Sequence, residues 1–248
     1  MSPAPDQVTA VVLAGGFGTR IKHLLRDLPK PMAPVNGRPF IEWVVRYLAR
    51  QNIRRVILST GYLAETVARH FQSQPVAGVT VSCVPETQPL GTAGGFLNCT
   101  ASTAEKPAAW LVLNGDSLAL APLDNLLHAA AGAEVGGAIL GVPMADAARY
   151  GTVVGNQSGE LAGFLEKQPG AGNINAGVYL FRSAVVETFP AQRPLSFEQE
   201  VFPGLMARQI RIKLCVADAP FLDIGTPESL PQAESFIRDH AAWFSPLG

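Results

Sequence analysis

Few stretches of this sequence leave the backbone as little choice as Val11-Val12-Leu13-Ala14-Gly15-Gly16-Phe17-Gly18-Thr19-Arg20. An apolar run that ends on glycines reads as a buried strand entering a tight turn. Gly15, Gly16 and Gly18 let the chain take φ > 0 and approach a bulky ligand closely, with N–H groups turned toward phosphate oxygens. Arg20 and, further on, Lys30 in Pro29-Lys30-Pro31 add positive charge. Together these features describe a polyphosphate site; a strand that merely turns on glycines needs neither cation. Spacing removes two other glycine-rich readings. A P-loop ends in Gly-Lys-[Ser/Thr], and no Gly-Lys pair occurs in the chain. A dinucleotide fingerprint needs a third glycine at position 21, which is Ile21.

Downstream, Ile41, Val44, Val45 and Leu48 fall at i, i+3, i+4 and i+7, which predicts an amphipathic helix over 40–51 with Arg46, Arg50 and Gln51 on its wet side. Residues 55–60 read as a buried strand and 63–72 as a second helix with Val67 and Phe71 inward. This βαβα alternation implies a Rossmann-like α/β sandwich of three layers, a mostly parallel central sheet with helices on both faces. Ligands of such sheets sit at the carboxyl ends of the strands. Strand 80–84 delivers Glu86-Thr87-Gln88-Pro89-Leu90-Gly91-Thr92 there, followed by a helix over 93–100. Strand 109–113 delivers Asn114-Gly115-Asp116, where the carboxylate is either a helix cap or a functional ligand.

The second half changes character. Residues 138–142, 152–155, 161–165 and 177–181 are strand-like, with a turn at 156–159 and a loop at 171–173. These predict β-hairpins added to the parallel core as a wall over the site. A helical segment ends near Arg208, a strand covers 210–216, and 221–228 repeats the pattern of apolar strand, acid (Asp223) and glycine turn before a closing helix. No hexapeptide repeat is present.

A net charge of −1 over 248 residues provides no basic field for nucleic acid and no polybasic patch for a membrane surface, so any bound anion must be held by local charges. The first residues lack the basic start and apolar core of a signal peptide and no apolar run reaches spanning length, which places the expectation in the cytoplasm. Cys83, Cys99 and Cys215 are odd in number and set in apolar surroundings, as expected of buried reduced thiols. His23, His70, His128 and His240 stand in no triad-like motif and read as surface or packing residues.

Gly15-Gly16-Phe17-Gly18-Thr19-Arg20 with Pro29-Lys30-Pro31 resembles the signature of the sugar-1-phosphate nucleotidylyltransferases. Asn114-Gly115-Asp116, Phe164-Leu165-Glu166-Lys167, Asn175-Ala176-Gly177-Val178-Tyr179 and Asp223-Ile224-Gly225-Thr226-Pro227 resemble further family motifs in the family's order, over about 11–230. The resemblance implies a GT-A-like nucleotidyltransferase fold. It implies a single domain over 1–248, with a nucleotide-binding part at about 8–120, a sugar-binding part at about 121–230 and a C-terminal helix at about 227–244. Within the family, 86–95, 174–179 and 196–203 resemble the branch that guanylylates heptose 1-phosphate for surface polysaccharides. The segment after Arg20 departs from the usual Pro-Leu-Thr, being Lys22-His23-Leu24-Leu25-Arg26, which leaves the role of 22–26 open.

The implied chemistry is attack of a sugar 1-phosphate on the α-phosphorus of an NTP, with pyrophosphate leaving. Both reactants are polyanions, and a phosphate monoester with a second pKa near ~6 needs no general base. By resemblance, Arg20 grips the triphosphate and Lys30 the phosphates near the leaving group, while Asp116 and Asp223 hold Mg²⁺. The nucleotide set is Leu13, Ala14, Gly15, Gly16, Gly18, Thr19, Arg20, Glu86, Pro89, Gly91 and Thr92. On the sugar side Lys167 takes the phosphate, with Glu166 and Asn175 on hydroxyls and Gly151 beside them. Singly these residues have plainer readings: a surface ion pair for Glu166 with Lys167, a turn cap for Asn175, a helix cap for Asp223.

Glu86 points to the base. Pyrimidine-using relatives tend to have Gln there; an ionised carboxylate only accepts, and guanine presents two adjacent donors where uracil and thymine present one between two carbonyls. GTP is therefore the expected donor; in the plainer alternative Glu86 faces solvent and the backbone of 13–15 selects the base. The competing functions are a thymidylyl- or uridylyltransferase on a hexose 1-phosphate and a catalytically inactive regulatory subunit that binds nucleotide sugar. An NAD-dependent oxidoreductase fails on glycine spacing. A homo-oligomer is compatible with the sequence.

Overall fold

The computed structural model describes residues 2–16, 21–25, 28–132 and 134–245. The backbone of the first strand, Val8–Ala14, is parallel to Arg55–Thr60 on one side and to Ala109–Asn114 on the other, with Thr80–Pro85 parallel to Arg55–Thr60 beyond. Alternation along Val8–Ala14 decides its two faces: Val8, Ala10, Val12 and Ala14 enter one buried cluster and Val11 the other. The first cluster takes up the inward residues of helices Phe40–Arg50, Ala64–Ser73 and Ala233–Asp239, among them Val44, Val67, Phe71 and Ile237. The opposite cluster takes up Ala93, Phe96 and Cys99 of helix Thr92–Ala101 together with Phe197, Phe202 and Leu205. The sheet is thus covered on both sides, as the alternation of strands and helices predicts.

The long strand Gly172–Arg182 runs antiparallel between Ala109–Asn114 and Val135–Met144, and Arg211–Val216 continues the sheet parallel to Val135–Met144. Hairpin Thr152–Gly155/Leu161–Leu165 joins through Thr152, which pairs with both Leu165 and Ile174. The expected loop at 171–173 is shorter: Gly172 and Asn173 already pair with Met144 and Pro143, so the sheet overrides the glycine signal. Among the described residues no helix is long and apolar enough to cross a membrane. All three cysteines are free, but only Cys99 is buried; Cys83 and Cys215 are half-buried, because their strands lie toward the sheet's margins.

Helix Phe40–Arg50 corrects the sequence reading in one respect. Its polar side is not simply wet: Glu42 is 1% exposed and accepts from Arg38 at 2.6 Å and Arg46 at 2.8 Å, with His70 of the next helix at 2.9 Å. Burial alone would raise the Glu42 pKa, but the hydrogen bonds from Arg46, His70 and Arg38 outweigh it and hold the carboxyl below its usual range. A lowered folded pKa contributes stability above the unfolded value, and that contribution is lost as pH falls through the folded one. Glu42→Gln is therefore expected to cost about 2–3 kcal/mol at neutral pH, and the deficit should shrink below about pH 4. Urea unfolding at both pH values measures it; an equal deficit at both would mean that shape, not charge, holds this site.

Candidate active site

Four neighbouring parallel strands end at one cavity of about 580 Å³, bordered by Leu13 and Gly15, by Gly61 and Tyr62, by Glu86, and by Asn114 and Asp116. This is the carboxyl edge of the sheet, where a change of chain direction leaves a crevice. Of the expected nucleotide residues, Leu13, Gly15, Gly16, Glu86, Pro89, Gly91 and Thr92 line the cavity, and Ala14 lies buried behind it. Gly18, Thr19 and Arg20 lie outside the described residues, as does Arg26 of the atypical segment, whose Lys22–Leu25 stretch forms a single helical turn. The wall at 86–92 is braced from behind by the segment 195–197: Leu195 N–H donates to Leu90 O at 2.8 Å and Phe197 N–H to the Thr92 hydroxyl at 3.1 Å.

Glu86 is half-buried in the wall of this cavity. Its N–H donates to Thr60 O at 2.6 Å, and its Oε1 accepts from the Ser59 hydroxyl at 2.7 Å. Side chains at two glycines would collide with it, since a Cβ at Gly15 would lie 2.5 Å and one at Gly95 2.6 Å from the same oxygen. One carboxyl group is thus held at one end of the cavity.

Asp116 marks the cavity's other end. It follows strand Ala109–Asn114 through Gly115, and its carbonyl accepts from Ile224 N–H at 3.0 Å, which draws in the strand Phe221–Asp223. Between Asp116 and Asp223 lies Lys30, only 9% exposed, with its ammonium 2.5 Å from Asp116 Oδ2 and 4.0 Å from Asp223 Oδ1. Asp223 caps its own turn, accepting from Gly225 N–H at 2.6 Å, and starts no helix. A Cβ at Gly225 would stand 2.7 Å from that carboxylate and 3.1 Å from the Lys30 ammonium, so glycine keeps the approach clear. Among the described residues no group of three or more His, Cys, Asp or Glu gathers; Asp116 and Asp223 stand on either side of the Lys30 ammonium. No histidine borders the cavity: His70, His128 and His240 are engaged with Glu42, Asp124 and Phe236.

The sugar-side candidates gather elsewhere, at the base of the hairpin, and do not line this cavity. Gly151 O accepts from Asn175 N–H at 2.9 Å, and Glu166 and Lys167 follow Leu165, both exposed, with no ion pair between them. Asn175 is more occupied than expected. Its Oδ1 accepts from Gly177 N–H at 3.0 Å, while Nδ2 donates to the Tyr179 hydroxyl at 2.9 Å and to Glu198 at 3.4 Å. The turn-cap reading of Asn175 therefore describes its geometry.

Sequence reasoning passed over Ser59, Gly61, Tyr62 and Glu198. Gly61 carries the same signal as Gly15, a glycine at a strand's carboxyl end, and could have been found; nothing in the sequence marks Ser59 as the partner of Glu86.

The sequence profile of the family described as "Nucleotidyl transferase" matches residues 9–240. D-glycero-alpha-D-manno-heptose 1-phosphate guanylyltransferase of Aneurinibacillus thermoaerophilus is 34% identical over 93% of this chain and 99% of its own length. Mannose-1-phosphate guanylyltransferase of Mycobacterium tuberculosis is 37% identical over 96% of this chain, which spans 65% of that protein. Among solved structures, HddC from Yersinia pseudotuberculosis complexed with GMP-PN superimposes with a TM-score of 0.81 at 30% identity, covering 92% of this chain and 98% of that one.

Proposed function

We propose, on the premise that this chain belongs to the nucleotidyl transferase family, that it transfers GMP from GTP to a sugar 1-phosphate, giving a GDP-sugar and pyrophosphate. Heptose 1-phosphate is the favoured acceptor. Mannose 1-phosphate is the second reading, favoured by the mycobacterial relative, and the names of the two relatives share the manno configuration. The observation that carries the proposal is one cavity with the carboxyl groups of Glu86 and Asp116 among its lining and Lys30 set between Asp116 and Asp223.

In the reaction a phosphate oxygen of the sugar 1-phosphate forms a bond to the α-phosphorus while the bond from that phosphorus to the β-bridging oxygen breaks, and pyrophosphate carries the electron pair away. No proton has to move. Lys30 offsets the charge on the triphosphate, as Arg20 is proposed to do. Asp116 and Asp223 fit Mg²⁺, a hard ion that takes one or two carboxylates and fills its remaining positions with water and substrate oxygens. When bound there it would neutralise α-phosphate oxygens.

Purified protein supplied with GTP, UTP, dTTP, ATP or CTP and with heptose, mannose or glucose 1-phosphate should release pyrophosphate fastest with GTP and a manno-configured acceptor. A preference for dTTP or UTP would remove guanylyl transfer and leave nucleotidyl transfer. Lys167 is assigned to the sugar phosphate. Lys167→Ala should raise the KM for sugar 1-phosphate about tenfold or more, while calorimetry finds GTP affinity nearly unchanged. A large loss of GTP affinity would place that lysine on the other reactant.

A further inference from the structure

Glu86 is held by more than its own rotamer preference. Ser59 lies on the strand Arg55–Thr60, paired to Leu13 on one side and Val84 on the other, and is 0% exposed. A hydroxyl buried in mid-sheet requires partners. The Ser59 hydroxyl donates to Glu86 Oε1 at 2.7 Å, and the neighbouring residue, Thr60, accepts from the Glu86 N–H at 2.6 Å. One strand end therefore fixes both the backbone and the carboxylate of Glu86. The slot around that carboxylate is built to match: a Cβ at Gly95 would lie 2.6 Å from Oε1 and 3.0 Å from Ser59 Oγ, and one at Gly15 would lie 2.5 Å from Oε1. The Cys99 thiol, brought by helix Thr92–Ala101, also interacts with the Ser59 hydroxyl; burial pushes its pKa up to about 12, so at neutral pH it is a neutral S–H.

We propose that Ser59 is a specificity-determining positioning residue: by holding one carboxylate oxygen of Glu86 in the glycine slot, it orients the group toward the adjacent N1–H and N2–H donors of guanine. An ionised carboxylate offers about four acceptor sites, so one hydroxyl on Oε1 leaves enough for two base donors. Without the hydroxyl the carboxylate turns more freely, and a two-donor match loses more from misorientation than a single contact does. This inference rests on the assignment of Glu86 to the base.

The test is equilibrium binding of GTP and UTP to the intact protein by calorimetry, which does not depend on turnover. Ser59→Ala should narrow the ratio of the two affinities about tenfold or more, in a protein that circular dichroism finds folded. Ser59→Thr, which keeps the hydroxyl, should retain most of the ratio. In a Glu86→Gln background, Ser59→Ala should have no further effect on the ratio, the signature of a shared interaction. An unchanged ratio in Ser59→Ala, an equal loss for GTP and UTP, or the same narrowing in both backgrounds would overturn the inference. A wild-type protein without GTP preference would overturn it together with the base assignment, while pyrophosphate release from another NTP would keep nucleotidyl transfer standing.

Discussion

Lys30→Met should lower kcat/KM by about 10³-fold or more, equivalent to roughly 4 kcal/mol of transition-state stabilisation. The Lys30 side chain is 9% exposed and its ammonium lies 2.5 Å from Asp116 and 4.0 Å from Asp223, so its removal leaves two carboxylates facing an incoming polyanion without that compensation. A charge in so little water interacts more strongly than a surface charge does. The fold should persist, because Asp116 is 39% exposed and can be hydrated once unpaired. Lys30→Arg should not restore activity, since the bulkier, planar guanidinium does not fit a slot cut for an ammonium. Steady-state kinetics with circular dichroism decides the matter: activity within tenfold of wild type in a folded Lys30→Met protein would make the lysine a structural counter-ion only.

The second large effect is expected from the aspartates. Asp116→Asn and Asp223→Asn should each reduce turnover by about 10²-fold or more and shift activation to higher Mg²⁺ concentration. Asp223→Asn separates two roles cleanly. Its Oδ1 accepts from Gly225 N–H at 2.6 Å, and an amide oxygen can accept the same bond, so the turn survives while the charge is lost. Normal turnover in that variant would mean that Asp223 serves as a turn cap and that the cation assignment is wrong.

Much of this architecture was legible in the residues. Apolar runs such as 109–113 and the i, i+3, i+4, i+7 pattern of Ile41 to Leu48 have one compatible period each, and the elements form where those periods place them. Asp116 and Asp223 could be singled out because each follows an apolar strand in a motif that resembles the family's, although an acid at a strand end is by itself equally a cap. That they meet was implied by the family resemblance alone; that Lys30 stands between them was not, because it depends on Ile224 bonding to Asp116, a contact between residues more than a hundred positions apart. Glu42 illustrates the same limit from the other side: helical periodicity assigns Arg46 to water, whereas His70 of the next helix closes a buried charge cluster around it. Ser59 and Glu198 are ordinary residues in the sequence, and only strand register and the packing of Tyr179 give them neighbours that matter.

The central claim is transfer of the nucleotidyl group, and the fate of the α-phosphate tests it most directly. Wild-type protein incubated with α-³²P-labelled GTP, Mg²⁺ and heptose or mannose 1-phosphate should move the label into a phosphatase-resistant sugar nucleotide, with unlabelled pyrophosphate released in equal amount. Label remaining in GTP with every acceptor, or emerging as GDP or free GMP without a sugar nucleotide, would contradict it.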